Sequence, residues 1–172
     1  TLEDSKIIKE AWGTNTLIPL YDNEDGVCGI EYNGTAYYFL KNLQGDVIAI
    51  TDSRGNTVAR YSYDAWGKCT ITEDISNRDI ATINPYRYRS YYYDAETGLY
   101  YVSSRYYDPE IGRWINADDT AYLGADGTLL SYNLFAYCSN NPVNKIDKTG
   151  NLGLAIGIFI GASAVIGGIA GA

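Results

Sequence analysis

Histidine is absent from all 172 residues, and that removes whole classes of chemistry. No Ser-His-Asp or Cys-His nucleophile pair can form, no metal can be held through imidazole, and no haem can take a His ligand. Any catalysis must come from carboxylates, Lys, Tyr or Cys. Cysteine is scarce as well: Cys28, Cys69 and Cys138 are odd in number, far apart and without a Cys-x-x-Cys pair. Neither a disulfide framework nor a zinc site is expected, and the three read as small buried residues that leave the redox compartment open. Positive charge is thin, 13 Lys and Arg against 21 Asp and Glu for a formal charge of −8. Phosphate binding needs a basic surface, so nucleic acid is not expected as a partner of this segment. Nothing in the chain calls for a cofactor or a metal.

Glycine and tyrosine are abundant instead. Eighteen Gly and 14% aromatics favour a turn-rich, mainly β protein over a helical bundle, and the length suits one domain with its own core. The chain opens on Thr1 and closes on an apolar run, the expected look of a piece of a longer polypeptide, so the missing leader says nothing of export.

Residues 1–25 read as the remnant of an upstream repeat or linker. Alternatively, Glu3-Asp4-Ser5 ahead of Ile7, Ile8 and Trp12 starts a short helix, capped by Ser5 and stopped by Gly13. Residues 26–73 read as β-hairpins. Val27 to Tyr32 and Thr35 to Leu40 flank Asn33-Gly34, the preferred dipeptide of a type I′ turn. Val47 to Thr51 and Thr57 to Tyr63 follow as further strands, with turn signals at close intervals, as in a repeat array or barrel. Residues 74–84 lack alternation and read as a connecting loop.

Nine of the eighteen tyrosines fall between Tyr86 and Tyr107, split by Glu96-Thr97-Gly98. Such runs on either side of a turn predict a two-stranded β element, ended by Pro109, which cannot donate to a ladder. Tyr-Asp recurs at Tyr21-Asp22, Tyr63-Asp64, Tyr93-Asp94 and Tyr107-Asp108. The Asp is expected to cap the turn that follows, with Gly supplying positive φ; Gly67, Gly98 and Gly112 belong to the same structural motif. The tyrosines themselves read as sheet-packing residues.

The last 21 residues, Leu152 to Ala172, carry no charge. As a helix they would span about 31 Å, enough to cross a bilayer core. Gly153, Gly157 and Gly161 recur at the small-xxx-small spacing by which membrane helices approach closely. The alternative is an apolar segment packed inside a shell or against another domain.

These motifs carry a resemblance. Tyr92 to Trp114, Tyr-Tyr-Asp-x-x-x-Gly-Leu-Tyr-Tyr-x-x-x-Arg-Tyr-Tyr-Asp-Pro-x-x-Gly-Arg-Trp, is similar to the core that closes bacterial Rhs and YD-repeat proteins. Gly55 to Thr70 resembles a YD repeat. Asn133, Phe135, Tyr137, Asn141 and Pro142 fit the stretch that ends the family's core. The resemblance spans Tyr32 to Gly150 in two blocks and implies an antiparallel YD-repeat meander or shell fragment over 26–73, a repeat-associated core over 85–151, and a C-terminal hydrophobic helix opening the variable region.

In that family the core is thought to cut its own chain once, through paired carboxylates that share a proton and activate water, freeing a toxin inside a β-shell. By position the carboxylates are Asp118 and Asp147, Arg113 orients or polarises the site, and the cut falls between Asn151 and Leu152, with Gly150 allowing close backbone approach. The sequence departs from the pattern at Asp119 and Lys148, each in place of Pro, and at Asn151 in place of Leu. The implied partners are the chain's own C-terminal toxin, an immunity protein and, through 152–172, a membrane; the implied location is secreted or at the cell surface. Three other readings stand beside this one. Asp118 and Asp147 serve as turn-capping residues of an inert core; or the domain is a non-enzymatic wall-associated module that binds glycans or a neighbouring cell through exposed Tyr and Trp, Trp66 and Trp114 among them; or Leu152 to Ala172 is the functional part, a pore or anchor.

Overall fold

The computed structural model describes residues 1–3, 6–120, 123–124, 127, 132–147 and 150. They form antiparallel sheets and one short helix. Strands β1 (Leu2–Glu3) and β2 (Lys6–Ile7) make a small pair. Strands β3 (Glu10–Trp12), β4 (Asn15–Tyr21), β5 (Val27–Tyr32), β6 (Thr35–Lys41), β7 (Val47–Thr51), β8 (Thr57–Tyr63) and β9 (Cys69–Asp74) follow one another as a seven-stranded meander. A second meander holds β10 (Tyr92–Asp94), β11 (Leu99–Val102), β12 (Arg105–Asp108) and β13 (Arg113–Trp114).

One turn chemistry drives the first meander. Asp22, Asn42, Asp52 and Asp64 each accept, on one side-chain oxygen, the main-chain N–H groups two and four residues on, at 2.8–2.9 Å. The chain reverses within five residues, and Gly45, Gly55 and Gly67 take the positive φ the reversal demands, 85° to 90°. The expected capping of turns by Asp is present at Tyr21-Asp22 and Tyr63-Asp64, and the same turn forms at Asn42 and Asp52 with no preceding Tyr. The repeating unit is thus the turn, which explains why the Tyr-Asp pairs are unevenly spaced. Asn33-Gly34, with φ 48° and 76°, is the tight hairpin its composition predicts.

Three segments differ from expectation. Lys6–Ile7 and Glu10–Trp12 are strands, and no helix forms over 6–12: β3 pairs with β4, Glu10 opposite Leu17 and Trp12 opposite Asn15, and Trp12 stacks on Tyr32, so tertiary pairing overrides a local capping signal. The expected loop at 74–84 contains the end of β9 and a helix, α1 (Ile80–Ile83). Asp74 organises it by accepting Ala81 N–H at 2.8 Å, and Ile80 and Ala81 pack into the core. The tyrosine-rich element has four strands, because turns at Ser103 and after Asp108 fold the chain twice more; β12 does end before Pro109.

Two clusters make up the interior. The first joins one face of the seven-stranded sheet to α1 through Leu17, Ile30, Tyr37, Ile50, Tyr61 and Ile80. The second is nearly all aromatic: Tyr88, Tyr91, Tyr100, Tyr107, Trp114 and Tyr137. The hydroxyls of Tyr88, Tyr100 and Tyr107 donate to the carbonyls of Ala65, Gly67 and Trp66. Three buried phenols therefore satisfy the carbonyls on the inner side of one turn and tie the sheets together, a task Phe could not perform. Gly67 sits under the Tyr88 ring, where a Cβ would come within 2.5 Å of ring carbon.

Asn151 to Ala172 lie outside the described residues, and with them the expected cleavage point Asn151–Leu152, the apolar helix and Gly153, Gly157 and Gly161. Among the described residues no helix is long and apolar enough to cross a membrane.

Candidate functional site

Alternation along β11 and β12 decides what meets at the site. Tyr100, Val102, Arg105 and Tyr107 point inward, while Tyr101 and Tyr106 face out as a ring pair 5.2 Å apart. Arg105 is the charged member of the inward row and is only 3% exposed. A guanidinium so placed must be paired and hydrogen-bonded on every side, and it is. Its Nη2 lies 3.0 Å from Asp118 Oδ2 and 3.3 Å from Asp147 Oδ2. Nη1 donates to Leu134 O at 3.2 Å and Nε to Gly150 O. Its plane lies against the Trp114 ring, 4.0 Å from the centroid. Burial pushes its pKa down, and the two carboxylates oppose that shift.

Both carboxylates are buried, Asp118 at 5% and Asp147 at 3% exposure. Asp118 is carried past β13 by its N–H bond to Leu134 O, and its Oδ1 accepts Asp119 N–H at 2.9 Å. Asp147 accepts Gly150 N–H on Oδ1 at 2.8 Å, and Tyr91 OH, 3.2 Å from Tyr137 OH, donates to its main-chain carbonyl. Residues 29 apart in sequence thus share one cation. Among the described residues no group of three His, Cys, Asp or Glu could hold a metal.

The segment that brings Asp147 in is itself gripped by the first meander. Arg89, in left-handed conformation with φ 53°, pairs with Asp46 at 3.3 Å and donates to Pro142 O at 2.6 Å. Gln44 donates to Val143 O. The turn between β6 and β7 therefore positions the irregular segment leading to the site. Cys138 lies beside it, and burial pushes its thiol up to about 12.

Arg113 is elsewhere. It is exposed on β13, and its Nη2 donates to Asn133 Oδ1 at 3.1 Å; the guanidinium between the carboxylates belongs to Arg105. The signal was available in the alternation: if Tyr107 packs inward then so does Arg105, and an inward Arg in an aromatic row needs acidic partners. The motif residues Tyr93, Asp94, Gly98, Asp108, Pro109 and Gly112 shape the strands and turns around this site. Asp94 and Asp108 cap their turns, and Gly112 packs on Trp66. Trp114 is 2% exposed, so it offers no platform to a glycan, and Trp66 spends one ring face on Gly112.

A family model described as teneurin YD-shell matches residues 10–143. The tRNA nuclease WapA of Bacillus subtilis strain 168 is 48% identical over 115 residues, 67% of this chain and 5% of that protein. Toxin subunit YenC1 of Yersinia entomophaga is 35% identical over 127 residues, 74% of this chain and 12% of YenC1. The crystal structure of TcdB2-TccC3 superposes with a TM-score of 0.63 at 26% identity, covering 87% of this chain and 7% of that one. The chain thus spans a small fraction of the length of these three proteins. On the family match, the shared meanders and the Tyr-rich core, it belongs to the Rhs-type YD-shell family.

Proposed function

We propose that this domain is the closing end of an Rhs-type toxin, completing a β-shell around the chain's own C-terminal toxin, and that it cuts the chain once between Asn151 and Leu152. The observation that carries the reading is the buried grouping of Asp118, Asp147 and Arg105 against the carbonyl of Gly150, one residue before Asn151. The turn-capping aspartates Asp22, Asp52 and Asp64 are half-buried or exposed. Burying two carboxylates around one guanidinium costs desolvation that a turn cap does not require.

In the proposed step one carboxylate takes a proton from a water that adds to the Asn151 carbonyl carbon. The other returns a proton to the Leu152 nitrogen as the C–N bond breaks. Arg105 holds the two acids together and fixes the main chain beside them. The same reading makes the released segment the toxin, gives the producing cell a need for an immunity protein, and places the whole protein outside the cell or on its surface.

The test is a chain carrying a C-terminal tag after Ala172. Wild type releases the tag, and Asp118→Asn, Asp147→Asn and Arg105→Met retain it. Retention by wild type refutes self-cleavage, and release by Asp147→Asn refutes the assignment of the acids.

A further inference from the structure

Gly150 is held through its main chain alone. Its N–H donates to Asp147 Oδ1, and its carbonyl accepts from two donors at once, Arg105 Nε and the Ser104 hydroxyl, the latter at 3.2 Å. Its φ is +73°, a conformation that favours glycine. A Cβ there would run into the Val102 carbonyl oxygen and lie 3.1 Å from Ser104 Oγ. Apart from Asp147, every one of these contacts comes from the tight turn Val102–Arg105 that joins β11 to β12. That turn is built for this approach: Ser103 adopts φ 50°, and Ser104 N–H bonds back to Val102 O.

We propose that this turn is a register clamp. It sets the point of cleavage by its distance along the main chain from Gly150, without reading the side chains of Asn151 or Leu152, and Ser104 is a positioning residue within it. The cleavage half of the inference rests on the self-cleavage reading above; the clamp is a separate structural statement. One feature favours it: Arg105 is divided among two carboxylates and two carbonyls, so a second donor keeps the Gly150 carbonyl in place when the guanidinium adjusts to a change of charge on its acids. Ser104 is exposed, so replacing it leaves the core intact.

The experiment uses the chain extended past Ala172 by a reporter domain, in four forms: wild type, Ser104→Ala, Ser104→Thr, and an insertion of one Ala between Gly150 and Asn151. Mass spectrometry identifies the first residue of the released fragment, and hydrogen exchange reports the Gly150 amide. Wild type releases a fragment beginning at Leu152. The insertion variant releases one beginning at Asn151, because the cut stays one residue beyond Gly150. A fragment still beginning at Leu152 overturns the clamp in favour of side-chain recognition. Loss of one neutral hydrogen bond makes Ser104→Ala release roughly two- to tenfold slower and exchange the Gly150 amide faster by a similar factor, while Ser104→Thr, which keeps the hydroxyl, matches wild type in both. Equal exchange in Ser104→Ala and wild type overturns the clamp whether or not any fragment is released. Absence of release from wild type counts against self-cleavage, and the exchange data then decide the clamp on their own.

Discussion

Replacing Arg105 by Met keeps the volume of the side chain and its contact with Trp114 but leaves Asp118 and Asp147, 5% and 3% exposed, without their shared cation. Removing one partner of a buried ion pair costs about 3–5 kcal/mol, because the remaining charge stays desolvated. Against a total stability of about 5–15 kcal/mol for a domain, that is a large fraction. At about 2–4 °C per kcal/mol for a chain of this size, the melting temperature should fall by about 6–20 °C. Arg60→Met is the control: its partner Glu73 lies 3.0 Å away, but the two side chains are 55% and 42% exposed, and such pairs contribute less than about 1 kcal/mol. Thermal and urea unfolding of both variants, with Asp118→Asn added to the Arg105→Met background, separates charge from packing. The double variant should regain at least about 1 kcal/mol, since one uncompensated carboxylate is gone. If Arg105→Met shifts the midpoint no more than Arg60→Met does, or if Asp118→Asn makes the Arg105 variant worse, the reasoning about a shared buried cation is wrong.

Two further outcomes follow from the packing and the turns. Tyr100→Phe and Tyr107→Phe strip a buried and a half-buried turn carbonyl of its donor and should cost about 1–3 kcal/mol in urea unfolding, whereas Tyr38→Phe, at an exposed ring, should cost nothing measurable; equal effects at the three sites would show that the hydroxyls do not matter. The Asp52 carboxyl is held below its usual range by the Asn56 side chain and then by Asn56 N–H, and Asp22 by the N–H groups of Gly26 and Glu24. Because these folded pKa values are depressed, the stability they contribute is present above the unfolded value, about pH 4, and is lost as pH falls through the folded one. Urea midpoints taken from pH 6 to pH 2 should decline below about pH 4, and the decline should be shallower in Asp52→Asn, since Asn42 shows that an amide makes the same turn. A curve unchanged by that substitution would assign the acid sensitivity elsewhere.

The legible part of this molecule was local. Val27–Tyr32, Val47–Thr51 and Thr57–Tyr63 are strands with the bounds their composition predicts, because β-branched and aromatic runs between Asx-Gly turns have few other conformations available. The Asn33-Gly34 hairpin and the stop at Pro109 follow from φ constraints that hold in any context. Where local signals conflicted with pairing, pairing prevailed. The capping pattern before Ile7 yielded to β3, which gains a neighbour in β4, and the polar stretch 74–84 acquired a helix because Asp74 accepts the Ala81 N–H and Ile80 finds the core.

What the amino-acid order determined by itself was a Tyr-rich antiparallel meander, its turn chemistry, and the exclusion of every imidazole-based mechanism. What only the tertiary structure decided was which face of β12 looks inward, and so that Arg105, not Arg113, lies between Asp118 and Asp147. Strand alternation leaves two choices of face, and a single residue of register exchanges them. The choice is made by the aromatic cluster that Tyr107 joins and by long-range bonds such as Arg89 to Pro142, which bring Asp147 alongside; no window of sequence contains both ends of such contacts.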